Sequence, residues 1–95
     1  EKRMEFSEEV IKARLLYHLR SKRVIGGKHT HFDTLNRGFP SHLGKEVKKV
    51  AHELIKSGWL ITKPTSYGLQ VSLNKERILE IDTFISRVLG FKLSI

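Results

Sequence analysis

The chain has 95 residues, enough for one hydrophobic core and too few for two. It contains no cysteine, which excludes disulfides, thiolate metal sites and thiol redox chemistry. Eighteen Lys and Arg against ten Asp and Glu give a formal net charge of +8, so polyanions are the favoured partners.

In chain order, residues 1–5 are expected to fray, and Ser7 then stands where a helix N-cap is needed. Glu8 and Glu9 suit the positive end of the helix dipole, and Phe6 can staple against Ile11. The predicted helix covers 7–22, with Ile11, Leu15, Leu16 and Leu19 as its stripe and Arg20, Lys22 and Arg23 at its C-terminal end. His18 lies beside that stripe and reads as a core-edge histidine. Val10, Ala13 and Tyr17 form a second, narrower apolar line, which asks for a second packing partner.

Val24-Ile25 reads as a short edge strand, broken by Gly26-Gly27. Thr30 to Asp33 fits a capping box, and Phe32, Leu35 and Phe39 fall at helical spacing before the stop at Gly38. A helix of two turns is expected there. Phe39-Pro40 forces extended backbone and a tight turn into the next element.

That element is a helix over 41–57, whose core face is Leu43, Val47, Val50 and Leu54, widened by Ala51 and Ile55. The opposite face carries Lys45, Lys49, His52 and Lys56, flanked by Ser41, His42 and Lys48, with Glu46 and Glu53 to one side. Ser41 is the expected cap, and Ser57-Gly58 the expected left-handed end, with Trp59 roofing the core behind it.

Strands over 59–63 and 69–73, separated by the turn-rich stretch 64–68, predict a β-hairpin. Asn74 can cap a last helix over 75–89, with Ile78, Ile81, Phe84, Ile85, Val88 and Leu89 as a broad apolar face ended by Gly90. The tail adds Phe91, Leu93 and Ile95. Together with the second line of the first helix, these surfaces predict a homodimer paired through the terminal helices. The fold class is mainly α with a small antiparallel β-hairpin (α+β), in a single domain over 1–95. Its body is 7–74, and 75–95 forms the C-terminal helix and tail. The basic excess lies in the body, since 75–95 is nearly balanced in charge.

Helix, short strand, helix, turn, helix and hairpin is an order that resembles the winged helix-turn-helix family over 7–74, and in particular small stand-alone archaeal winged-helix proteins. The resemblance implies a DNA-binding protein, expected to be a transcriptional regulator, with helix 41–57 in the major groove and hairpin 59–73 as the wing. Carried over to this sequence, Ser41, His42, Lys45 and Lys49 face base edges. Lys48, His52, Lys56 and Lys28 contact phosphates, and Arg37 reaches the backbone from the second helix. At the wing, Lys63 is the hairpin's sole charge, and Thr65, Ser66 and Tyr67 offer hydroxyls and backbone N–H groups to a phosphate. The groove helix has no arginine, so binding is better supported than guanine-specific reading. The alternative is a winged-helix module for RNA or protein contacts in a larger complex, with Tyr67 stacking on the partner.

Catalytic and metal chemistry find little footing. His29, His31 and Asp33 alternate, but their spacing matches neither a zinc finger nor a helical zinc-protease motif. No G-x-S-x-G turn accompanies the Ser, His and Asp residues, and Gly26-Gly27-Lys28-His29 is too short for a phosphate-binding loop. No enzyme activity, metal or cofactor is expected. No apolar run approaches a membrane span, and no signal-like stretch stands at Glu1-Lys2-Arg3, so a cytoplasmic protein without membrane contact is the expectation.

Overall fold

Helix α1, Glu8–Ser21, starts where the Ser7 hydroxyl accepts the Val10 N–H at 3.2 Å, with Glu8 and Glu9 in its first turn. The structure, a computed structural model, describes residues 7–90. Ile11, Ala13, Leu15, Leu16 and Leu19 of α1 are buried. Arg23 follows in left-handed backbone, φ 59°, which turns the chain back toward the sheet.

A two-residue strand β1, Thr30–His31, leads into a 3-10 helix, Phe32–Asn36. A second 3-10 turn, Ser41–Leu43, runs into α2, Gly44–Ser57. The hairpin is β2, Leu60–Thr65, with β3, Gly68–Leu73. The chain then makes a 3-10 turn, Lys75–Arg77, and α3, Ile78–Leu89. The sheet is antiparallel in the order β1-β3-β2, pairing Thr30 with Val71 and Leu60 with Leu73. This is a mainly α fold with a small antiparallel sheet and a C-terminal helix, as the sequence predicts.

One core joins α1, α2, β2, β3 and α3. Gly58, at φ 84°, ends α2 in left-handed backbone that a side chain would strain, and Trp59 N–H returns to Leu54 O at 3.0 Å. Asn74 then clamps helix to hairpin, its Nδ2 donating to Gly58 O at 2.8 Å and its backbone N–H to Trp59 O at 2.9 Å. Its Oδ1 accepts the Glu76 N–H at 3.0 Å and so starts the last helical segment.

Several local expectations are corrected. The first strand is Thr30–His31 and not Val24-Ile25, because β3 meets the latter at a single bridge, Ile25 to Leu73. The capping box at Thr30 to Asp33 does not form. Thr30 and Thr34 hydroxyls bond each other at 3.1 Å and Thr34 donates to His31 O at 2.7 Å, leaving a 3-10 helix instead of two α-turns. Ser41 caps nothing with its side chain, since the chain enters α2 through 3-10 backbone begun at Pro40. Pro64 belongs to β2, opposite Leu69, which shortens the hairpin turn to Ser66-Tyr67.

Part of the apolar surface assigned to a partner lies in the chain's own core. Ile81 and Ile85 of α3 and Ala13 of α1 are fully buried, and Arg20 of α1 holds Asp82 of α3 through two bonds of 2.8 and 3.0 Å. Leu79, 77% exposed, stays outside. Fraying of 1–5, the Phe6 staple and the tail residues Phe91, Leu93 and Ile95 lie outside the described residues.

Candidate nucleic-acid interface

Helix α2 turns Val47, Val50, Ala51 and Leu54 inward, and that fixes which side chains its outer face presents. Lys45, Lys48, Lys49, His52 and Lys56 are all exposed there, with Ser41 and His42 exposed in the 3-10 turn ahead of them. Among the described residues, Lys45, Lys48 and Lys56 have no ion-pair partner. Their charges are therefore available to a polyanion.

Two members of the face are already engaged. Lys49 Nζ donates to Glu8 Oε2 in the first turn of α1. That hydrogen bond, and then the opposite charge, hold the Glu8 carboxyl below its ordinary pKa and the Lys49 ammonium above its own. His52 lies against the Phe32 ring, with centroids 5.1 Å apart and planes inclined at 39°. The imidazole is thus oriented by the 3-10 helix beneath it. Neither Glu8 nor Phe32 was legible as part of this site. Glu8 reads fully as a helix-dipole residue, and nothing linear says that its carboxylate faces α2.

Beside α2 the hairpin presents a polar tip. Thr65 Oγ1 donates to Gly68 O at 2.8 Å and accepts the Tyr67 N–H at 3.1 Å, so the turn itself engages two of the donors expected to meet a phosphate. Ser66 is exposed, and the Tyr67 side chain is 81% exposed. Across the outer face of the sheet the register lines up Lys63, Gln70 and His31. His31 ring atoms sit 3.7 and 3.8 Å from where a Cβ of Gly68 would lie, so the imidazole packs on the base of the turn.

No family model, curated protein or solved structure matches the chain.

Lys28 is exposed after the Gly26-Gly27 turn, whose Gly26 carbonyl accepts the buried Ser72 hydroxyl at 3.0 Å. Arg37, which follows the Phe32–Asn36 3-10 helix, lines a cleft against α1 with His18. Among the described residues no group of three or more His, Asp or Glu comes together to hold a metal ion, His29, His31 and Asp33 included. Among the same residues no helix is long and apolar enough to cross a membrane.

Proposed function

We propose that the protein binds duplex DNA through the outer face of α2, with the β2–β3 hairpin beside it as a wing, in the manner of a winged-helix transcriptional regulator. The observation that carries this reading is the unpaired row Lys45, Lys48 and Lys56 on the side of α2 opposite the core. A straight cationic edge on a rigid helix matches a groove walled by phosphates, and lysine, histidine and serine donate to phosphates and base edges alike. The strand order β1-β3-β2, with β1 placed between α1 and the Phe32–Asn36 helix, supports the same reading. The helix itself carries no guanine-reading arginine, so the salt-dependent phosphate term dominates.

The test is a salt-titrated affinity for duplex DNA by fluorescence anisotropy. Lys45→Gln with Lys56→Gln is expected to flatten the log–log salt slope by about one unit per lost phosphate contact, while Lys75→Gln, on the 3-10 turn before α3, leaves it unchanged. Equal slopes in wild type and the double variant would remove α2 as the binding surface. The exposed Tyr67 favours a second reading, stacking on an unpaired base of RNA. Tighter binding of structured RNA than of duplex DNA, lost in Tyr67→Ala, would put that reading first.

A further inference from the structure

We propose that the cleft between α1 and the loop after the Phe32–Asn36 3-10 helix is a binding site for a phosphate-class oxyanion, held by His18, Lys22 and Arg37. The cleft of about 160 Å³ adjoins a smaller one of about 90 Å³, and His18 and Arg37 line both. Lys22 borders the smaller part, Phe39 and Leu35 the larger.

Hydrogen-bond accounting selects the three donors. Ser21 Oγ is spent on His18 O at 3.0 Å, and Thr34 Oγ1 on His31 O at 2.7 Å. With Thr34 donating there, the Thr30 hydroxyl must be the donor of the 3.1 Å Thr30–Thr34 bond. The hydroxyls of Ser21, Thr30 and Thr34 thus have no proton to offer. His18, Lys22 and Arg37 are different: among the described residues none of their side chains has a hydrogen-bond or ion-pair partner. They come from two segments and meet at one junction with no carboxylate among the lining residues.

Such a convergence is electrostatically unfinished. Burial first, and then the Lys22 charge, depress the His18 pKa below its ordinary value of 6.5. The charged and titratable groups around that imidazole are Arg14, Tyr17 and Lys22 from its own helix and Arg37 from the opposing loop. The C-terminal end of α1 opposes an anion little, because the His18 carbonyl already accepts from Lys22 N–H and from Ser21 Oγ. An oxyanion would supply the missing negative charge, and the Leu35 and Phe39 wall would strengthen its attraction by excluding water. A phosphate offers enough acceptor oxygens to serve all three donors together.

This site lies apart from the outer face of α2, so it stands or falls without the DNA reading. The experiment is an NMR titration of the histidine ring signals of the full chain with inorganic phosphate at constant ionic strength. The expected result is a saturable shift of His18 and a higher His18 pKa at saturation. Lys22→Gln with Arg37→Gln, both at exposed positions, is expected to weaken binding about tenfold or more with unchanged circular dichroism. Absence of a saturable His18 shift, or the same affinity in the double variant, overturns the proposal. A short DNA duplex then identifies the source of the anion. Displacement of phosphate from His18 by the duplex assigns the site to a nucleic-acid backbone phosphate, and simultaneous binding of both assigns it to a free phosphorylated ligand.

Discussion

Glu8 sets how much of the α2 lysine row a polyanion can use. Its carboxylate holds Lys49, which the proposed DNA reading turns toward base edges, so on that reading Lys49 exchanges one acceptor for another on binding. Glu8→Gln is expected to keep the fold and to steepen the salt dependence of DNA binding by about one unit as Lys49 becomes available. Unchanged anisotropy titrations of that variant would show that the pair opens without cost. His18 gives the pH dependence. Its folded-state pKa lies below the ordinary 6.5, so the unfolded chain takes up a proton first. The stability tied to the neutral imidazole is therefore complete above that value and is lost as pH falls through the folded-state pKa. Thermal melts at pH 7 and pH 5 are expected to show a smaller drop for His18→Gln than for wild type.

Helix α3 is the element whose role the sequence leaves most open. A broad apolar face of Ile78, Ile81, Phe84 and Ile85 is equally consistent with a partner subunit and with the chain's own core, because periodicity gives the width of a stripe and not what covers it. In the folded chain part of that face packs against α1. Ile81 and Ile85 are fully buried there, Arg20 grips Asp82, and Phe84 packs edge-on to Trp59 at 5.5 Å. Ile85→Ala is therefore expected to destabilise the whole protein by about 2–5 kcal/mol in urea denaturation. A change below about 1 kcal/mol would make α3 an appendage. The long elements were legible because their caps and stripes agree: Ser7, Gly58, Asn74 and Gly90 all mark real boundaries. The short ones were not. Thr30 carries a capping signal and a β-branched side chain at once, and pairing with Val71 took precedence over the local helix signal. Among candidate site residues, the exposed face of α2 followed from its buried stripe, whereas Arg37's place beside His18 depends on a tertiary contact that no spacing encodes.

At the scale of the whole molecule, the sheet ends in two edge strands among the described residues. β1 is only two residues long, so β2 is the longer edge, with no described strand paired outside it. That strand also exposes Ile61, 42% accessible, which would suit pairing with another chain. Lys63 and Pro64 sit in its second half. The two-residue turn makes Thr65 and Gly68 a hydrogen-bonded pair, so position 64 is one whose N–H would face the open edge, and proline has none to give. An incoming strand meets a missing donor next to a charge. Pro64 is thus placed where it would obstruct edge-to-edge strand pairing. Pro64→Val is expected to retain the hairpin yet scatter light increasingly with concentration, while wild type stays flat.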